Sequence, residues 1–226
     1  MTHSSIRRRA IRDEQKEERR QAILDTAWQL LQSKGYEALT MADVANTLGL
    51  AKGTVYLYFQ TKEALFLALV EQQLTDLFSE FDAALLERSG ATSIAGVINA
   101  ICEALEKRPG LARLLAILHT ILEQNISLAE ATRFKYFLKQ HFEKTGALLE
   151  QCLPFLKVGE GAHLLLQCHA LVIGIWQLAD PAPVVQEALQ QADLQVFKID
   201  FAHEFSQTLQ ALLYGLEYQA QKEQRS

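Results

Sequence analysis

Apolar residues recur every three or four positions along almost the whole chain, which is the spacing of one face of an α-helix. No stretch alternates apolar and polar residues as a half-buried strand does, and only four of the 226 residues are proline. Clusters of glycine, proline and asparagine interrupt the pattern and separate about nine helices. The pattern therefore predicts an all-α protein.

The predicted helices differ in length and in how their apolar residues are arranged. A first helix covers about residues 17–34, and two short helices follow within 40–59. Later helices are predicted over 61–86, 93–107, 109–124, 127–152, 161–179, 184–192 and 197–221. Thr61 is placed to cap the fourth helix and Ser89–Gly90 to end it.

The segment TMADVANTLGLAKGTVYLYFQTK, residues 40–62, has the layout of a helix-turn-helix. Thr40 and Asp43 form a T-x-x-D pair, an acidic variant of the capping box that predicts a helix start. Gly49 is placed to adopt a left-handed conformation and end that helix, and a second helix begins near Lys52. In this motif the second helix enters the major groove of DNA.

The same region resembles the DNA-binding signature of the tetracycline-repressor (TetR) family. The matching pieces are GYEALTM at 35–41, DVANTLGL at 43–50, KGTVYLYF at 52–59 and KEAL at 62–65. The resemblance covers the first third of the chain. Together with the helix pattern it implies a three-helix DNA-binding domain at 1–67, with a basic arm at 1–15, and a larger helical ligand-binding and dimerisation domain at 68–226.

The resemblance also implies roles for individual side chains of the motif. Lys52 and Tyr56 are candidates for base contacts, and Gly53 allows a close approach to DNA because it has no side chain. The candidates for phosphate contacts are Thr40, Thr54, Tyr58 and Lys62. The alternatives are half-buried packing for the two tyrosines and a solvated surface position for Lys52.

Net charge by itself argues against a nucleic-acid partner, since the chain carries −5. The charge is unevenly divided, however. Residues 1–67 hold ten lysines and arginines against eight acids, whereas the remainder holds twelve against nineteen. Arg7, Arg8, Arg9 and Arg12 precede any acid and form either a minor-groove arm or a disordered tail with non-specific affinity. Local charge sets the attraction to phosphate, so the DNA-binding interpretation stands.

Cysteine usage and hydropathy indicate a cytoplasmic protein without a membrane anchor. The three cysteines are widely spaced and lie in apolar helical patterns, which favours reduced thiols. The basic N-terminus has no apolar run after it, so no signal peptide is predicted. The most apolar run, 162–179, contains two histidines and two glutamines and is interpreted as a buried packing helix.

A homodimer is expected because one short recognition helix reads few base pairs. Two such helices would sit about 34–36 Å apart on a palindromic operator. The family resemblance assigns the dimer interface to the last two long helices. The candidate interface residues are Leu165, Val172, Ile173, Phe205, Leu209, Leu212, Leu213 and Leu216.

The middle helices are expected to enclose a pocket for a hydrophobic or aromatic small molecule. Candidate ligand contacts are the polar or aromatic residues on otherwise apolar faces: His119, Phe134, Phe137, His141, Cys168, His169 and Trp176. His163 and His169 lie six residues apart, off one helix face, so no metal site is predicted.

The function expected from these features is a dimeric repressor that a small molecule releases from its operator. The alternative is a DNA-binding regulator or activator that answers to a protein partner or to no ligand. The chain has no G-x-S-x-G, H-E-x-x-H, P-loop or Gly-rich dinucleotide turn, so neither an enzyme, a catalytic residue nor a cofactor is predicted.

Overall fold

The computed structural model describes residues 3–87 and 93–225, with side chains from residue 13 onward. This part of the chain forms ten α-helices and no strand, which confirms the all-α prediction. The helices are α1 His3–Ala38, α2 Met41–Thr47, α3 Lys52–Tyr58, α4 Lys62–Glu87, α5 Ile94–Glu106, α6 Pro109–Ile117, α7 Leu128–Cys152, α8 Glu160–Ala179, α9 Pro183–Ala188 and α10 Phe201–Glu223. A π-helical turn, Leu118–Leu122, and two 3-10 turns, Glu123–Asn125 and Ala192–Phe197, complete the described elements.

Polar side chains start most of the long helices by accepting hydrogen bonds from backbone amides that the helix leaves unpaired. The Ala64 amide donates to Thr61 Oγ1 at 3.0 Å, as the sequence predicts for α4. The side chain of Ser127 caps α7 within a complete capping box, and Asp200 caps α10. Local sequence therefore sets these helix starts.

Two predicted helix starts are wrong. α1 begins at His3 instead of near Glu17, and α10 begins at Phe201 instead of Phe197 because Asp200 provides the cap. Gly35, at φ 75°, interrupts α1 near its end, close to the predicted stop. The predicted stop at Ser89–Gly90 and the side chains of the N-terminal arginines lie outside the described parts of the chain.

The chain divides into two compact units, and the division falls within α4. The smaller unit comprises residues up to Val70 together with Ile121–Ile126, and the larger comprises Glu71–Thr120 and Ser127–Ser226. The core of the smaller unit contains the fully buried side chains of Ile23, Leu31, Val44, Val55 and Phe66.

Helices α7 and α8 of the larger unit pack closely at a pair of glycines. A Cβ atom on Gly161 would lie 2.1 Å from the carbonyl oxygen of Gly146, and one on Gly146 would lie 2.5 Å from the Ala162 amide nitrogen. Neither position has room for a side chain, so the two backbones touch directly here. This contact fixes the position of α8, which lines both cavities described below.

One described helix, Glu160–Ala179, is long and apolar enough to span a membrane by length and composition, with 28% of its most apolar window buried. Core helices of globular proteins meet the same test. Much of α8 faces outward from the larger unit, so the helix interpreted from the sequence as buried packing is only partly buried.

Candidate DNA-binding site and effector cavities

A complete capping box starts α2, as the T-x-x-D pair predicts. The Asp43 amide donates to Thr40 Oγ1 at 3.2 Å, and the Thr40 amide donates to Asp43 Oδ2 at 2.8 Å. Lys34 Nζ lies 2.8 Å from Asp43 Oδ1. Hydrogen bonds from Lys34 and Thr40 hold the pKa of the Asp43 carboxyl well below its usual range.

The turn and the inner face of α3 also follow the sequence pattern. Gly49 has φ 63°, the left-handed conformation that a side chain disfavours, and the Leu50 amide donates to Ala45 O at 2.8 Å. Val55 and Phe59 are buried, and the Arg20 guanidinium lies 5.3 Å from the centre of the Phe59 ring. Because these contacts hold one side of α3 against the core, its opposite side faces outward.

The outward face of α3 presents Lys52, Gly53, Tyr56 and Leu57. The Lys52 ammonium lies 5.7 Å from the centre of the Tyr56 ring, and Gly53 has open space where a Cβ would be. Leu57 is 83% exposed and was not among the residues predicted from the sequence. Counting the helical positions outward from the buried Val55 and Phe59 would have revealed it.

The residues predicted to contact phosphate differ in their burial and in whether they already have a hydrogen-bond partner. Thr54 and Tyr58 are half-buried on α3. The Thr40 hydroxyl donates to Asp43 Oδ2 at 2.6 Å, so it is engaged within the capping box. The alternative of half-buried packing therefore describes Tyr58, which is partly packed, and not Tyr56, which is exposed.

Lys62 is held within the smaller unit. Its Nζ donates to the Tyr36 carbonyl oxygen at 2.5 Å and lies 3.9 Å from the centre of the Tyr36 ring. Burial lowers the pKa of Lys62, while the charges of Glu37 and Glu63 act in the opposite direction. One of the three ammonium N–H donors of Lys62 is thus used within the smaller unit.

The larger unit contains two apolar cavities, which we name the central cavity and the α10 cavity. The central cavity has a volume of about 50 Å³ and is lined mainly by Leu77, Phe78, Leu115, Phe142, Cys168 and His169. The α10 cavity has a volume of about 160 Å³ and is lined mainly by Cys102, Leu105, Arg108, Trp176, Phe201 and Phe205. Leu105 lines both.

The seven predicted ligand contacts do not meet in one pocket. Cys168 and His169 line the central cavity, and Trp176 lines the α10 cavity. Phe134 is fully buried, and Phe137 packs beside it with 6.1 Å between ring centres. Phe134 therefore belongs to the core of the larger unit, whereas Phe137 is half-buried.

Histidines account for the rest of the predicted ligand contacts. His141 stacks on Phe78 with 4.9 Å between ring centres, and burial lowers its pKa while Asp82 opposes that effect. His119, in the π-helical turn, places its Nε2 atom 3.2 Å from Nε2 of His169. No local sequence pattern predicts this pairing, because the residues lie fifty positions apart. Within the described parts of the chain, no three histidine, cysteine or acidic side chains group to hold a metal ion.

The aromatic wall of the α10 cavity was not predicted as a unit. Trp176 and Phe201 meet edge to face at 5.5 Å, and Phe201 stacks on Phe205 at 5.8 Å. Phe201 and Phe205 are one helical turn apart at the start of α10, a spacing that pointed to a shared face. Their common partner Trp176 comes from α8 and becomes visible only in the folded unit.

Arg108 lines the α10 cavity but its charge is already paired. Its side chain is 8% exposed, donates to Ala104 O at 2.8 Å and reaches Glu80 Oε1 on α4 at 2.5 Å. Hydrogen bonds from Arg108 and then Lys107 lower the pKa of Glu80 to about 2. The three side chains connect α4 to the junction of α5 and α6.

The predicted dimer residues fall into two groups. Five of them are buried within the larger unit itself, where their side chains form part of its core: Leu165, Val172, Phe205, Leu209 and Leu213. Ile173, Leu212 and Leu216 keep partly exposed surface. The same two helices expose large apolar side chains that the sequence reasoning did not select: Leu166, Leu178, Tyr214 and Tyr218.

A capped α2, a left-handed turn and a short α3 with an exposed basic and aromatic face define a helix-turn-helix DNA-binding protein. The profile of bacterial regulatory proteins of the tetR family matches residues 23–69, and the profile of the tetracyclin repressor-like C-terminal domain matches residues 71–220. The chain belongs to the TetR family, as the motif resemblance indicated, and is a DNA-binding transcriptional regulator.

Individual relatives are similar over only part of their length. The chain is 34% identical to the nucleoid occlusion factor SlmA of Mannheimia succiniciproducens over 100 residues, which are 43% of this chain and 46% of that protein. It is 33% identical to the uncharacterised HTH-type transcriptional regulator YfiR of Bacillus subtilis over 92 residues, 41% of this chain and 45% of that protein. The chain thus spans about half the length of these two curated relatives.

Solved structures share the fold at low sequence identity. A possible TetR family regulator from Streptomyces coelicolor has a TM-score of 0.57 at 23% identity, covering 88% of this chain and 98% of that one. The fatty acid degradation regulator FadR from Bacillus halodurans has a TM-score of 0.55 at 18% identity, covering 87% and 94%. FadR from Bacillus subtilis, solved in complex with stearoyl-CoA, has a TM-score of 0.51 at 18% identity, covering 85% and 96%.

Proposed function

We propose that this protein is a dimeric repressor that a small hydrophobic molecule releases from a palindromic DNA operator. The observation that carries the DNA-binding part is the outward face of α3, where Lys52, Gly53, Tyr56 and Leu57 are exposed together. An exposed lysine, a position without a side chain and two adjacent large side chains suit a base-reading surface.

The roles of these side chains follow from their chemistry. Lys52 is the candidate for a hydrogen bond to guanine, and Tyr56 for a contact to a base edge or a neighbouring phosphate. Leu57 is suited to an apolar contact with the C5 methyl group of thymine. Thr54 and Tyr58 are candidates for phosphate contacts at the side of the helix. Thr40 becomes available as a donor only if its hydroxyl leaves Asp43, whereas Lys62 uses one of its three ammonium donors on Tyr36.

Dimerisation follows from the size of α3. Seven residues extend about 10 Å along the helix axis, which covers few base pairs. Large apolar side chains exposed on α8 and α10 supply a surface for a second copy, with Leu166 53% and Tyr218 70% exposed. Gly174 and Gly215 on the same helices have open space where a Cβ would be, which allows close approach. Ile173, Leu212 and Leu216 extend this surface at its edges.

The ligand part of the proposal rests on the two cavities of the larger unit. Their walls are mainly apolar, which suits a hydrophobic effector. Fold neighbours include a FadR protein solved with stearoyl-CoA, so a hydrophobic ligand has a precedent on this fold. The ligand changes DNA affinity only if it binds one arrangement of the two α3 helices better than another. Helix α4, within which the two units divide, is the proposed carrier of that change.

The test of the DNA-binding part is selection of sites from a random duplex library by the purified chain, with the mass of the complex measured by native mass spectrometry. We expect an enriched palindrome bound by two copies, or by a multiple of two. Failure to enrich any sequence at low salt would refute DNA recognition, and one copy on a non-palindromic site would refute the dimer. Operator affinity is then measured across a panel of hydrophobic small molecules.

A second candidate function is a DNA-binding regulator that responds to a protein partner. The similarity to nucleoid occlusion factors favours it, because the name of those relatives describes a role other than ligand-controlled repression. A thermal-shift screen with small molecules separates the two candidates. A molecule that both stabilises the protein and changes its operator affinity supports the repressor; a panel without any such molecule favours the protein partner.

A further inference from the structure

The α10 cavity lies between the ends of α5 and α8 and the starts of α6 and α10. Its wall is formed by Trp176, Phe201 and Phe205 on one side and by Cys102, Leu105 and Ala112 on another. The volume is about 160 Å³. An engineered apolar cavity of about 150 Å³ in a helical protein stays dry and takes up benzene, so a volume of this size is sufficient for one aromatic ring.

The aromatic wall determines which shape fits. Trp176 meets Phe201 edge to face, with an angle of 70° between the rings, and Phe201 lies nearly parallel to Phe205 at 12°. This arrangement offers an added ring both edges and faces, which are the two favourable geometries for aromatic pairs. A flat ring therefore gains more from this wall than a flexible chain of equal volume.

The polar groups at the cavity disfavour an anion. Arg108 is buried and pairs with Glu80, so its charge is compensated within the protein. Burial and then the charges of Glu106 and Glu103 raise the pKa of the Cys102 thiol, which disfavours its charged form. Glu106 itself lines the cavity and adds a negative charge. Among the described residues of the lining Arg108 is the one cation, and Arg113, 6.0 Å from the centre of the Trp176 ring, pairs with Asp180, so a carboxylate placed here would meet the charge of Glu106.

We propose that the α10 cavity binds one uncharged molecule that contains a single aromatic ring. A long acyl chain fits less well, because the neighbouring central cavity, which shares Leu105, adds only about 50 Å³ of apolar space. The bound ring would touch α8 and α10 together, and these helices carry the proposed dimer surface. The regulatory consequence, that the ring alters the spacing of the two recognition helices through the dimer, rests on the proposed function; the binding itself does not.

The experiment uses toluene and phenol as single-ring probes, with benzoate as the anionic comparison and lauric acid as the acyl comparison. Binding is followed by the fluorescence of Trp176 in a Trp28→Phe background, since these are the two tryptophans of the chain. Toluene and phenol each have seven heavy atoms, and for ligands of this size we expect a Kd on the order of 100 μM. Benzoate and lauric acid should bind at least tenfold more weakly.

Two variants test the location. Ala112→Leu adds three carbon atoms to the wall and should weaken toluene binding at least tenfold, whereas Ala147→Leu, at an exposed position of α7, should leave it unchanged. Phe201→Ala enlarges the cavity and should admit naphthalene, which the unchanged protein excludes. This gain cannot arise from misfolding, so the test remains decisive if Ala112→Leu is unstable.

The outcomes separate this inference from the proposed function. Absence of toluene binding near its solubility limit, tighter binding of lauric acid than of toluene, or binding unaffected by both cavity variants overturns the assignment of the cavity. Operator affinity is measured on the same samples without any probe. Loss of DNA recognition there would count against the proposed function and leave the cavity result standing.

Discussion

Lys62, at the start of α4, has either a structural or a DNA-contacting role, and a substitution can separate the two. Its ammonium donates to the Tyr36 carbonyl at the end of α1 and lies over the Tyr36 ring, with the Phe66 ring 5.9 Å away. The substitution Lys62→Met keeps an unbranched apolar stem against Phe66 and removes only the charged donor. The Tyr36 carbonyl then loses its hydrogen bond to Lys62.

The expected loss of stability follows from these contacts. A hydrogen bond to a charged donor contributes about 1.5–3 kcal/mol, and a cation over an aromatic ring about 1 kcal/mol. Removal of the ammonium also relieves its desolvation, which is the effect that lowers the pKa of Lys62. The net loss is about 2 kcal/mol, and for a domain of this size each kcal/mol shifts the Tm by about 4–8 °C.

The assay measures stability and DNA binding on the same variant. Urea unfolding of the smaller unit is followed by Trp28 fluorescence in a Trp176→Phe background, and operator affinity is measured from low to moderate salt. We expect a lower unfolding midpoint and an unchanged dependence of log affinity on log salt. Lys52→Met is the control, since Lys52 is exposed on α3; it should leave stability unchanged and weaken operator binding.

The opposite pattern would refute this reasoning. A lysine that contacts phosphate in each copy adds about 1 to the slope of log affinity against log salt. If Lys62→Met reduces the slope by that amount per protomer while the unfolding midpoint stays the same, the ammonium acts on DNA and the Tyr36 contact is not needed for stability.

Four further predictions concern the recognition helix and the larger unit. The added methyl group of Gly53→Ala has no protein atom within 4 Å, so this substitution should leave the Tm unchanged. It should weaken operator binding at least tenfold, measured by gel-shift titration, because the methyl group blocks close approach to DNA. Leu57→Ala should weaken operator binding by about 1 kcal/mol, the low end for one base contact, and replacement of a contacted thymine by deoxyuridine should then have no further effect. Glu80 has a folded pKa of about 2, below its unfolded value, so its contribution to stability is complete above about pH 4.5 and is lost as the pH falls towards 2. Because the side chain is 40% exposed, this contribution is about 1 kcal/mol. The substitution Glu80→Gln should therefore remove this pH dependence from the free energy of unfolding measured in urea. Gly161→Ala should lower the free energy of unfolding by roughly 2 kcal/mol, measured by denaturation, since its Cβ would overlap the Gly146 carbonyl.

Much of the candidate DNA site could be predicted from the sequence because its determinants are local. The capping box of Thr40 and Asp43 and the left-handed Gly49 involve residues within ten positions of one another, and each follows from one residue type at one spacing. The exposed Leu57 was missed although the same spacing placed it opposite Val55. The engagement of Lys62 by Tyr36 depends on a contact between residues 26 positions apart, which no local pattern records.

The sequence by itself determined the helices, most of their ends and the helix-turn-helix, because backbone capping and helical periodicity act over a few residues. Only the tertiary structure decided which neighbour covers each apolar face. On α8 and α10 more than one face is apolar, so periodicity could not tell the buried Leu213 from the exposed Tyr218. The α10 cavity also arises from tertiary packing, since its wall joins Trp176 of one helix to Phe201 of another. Its size depends on packing between segments that are distant in sequence.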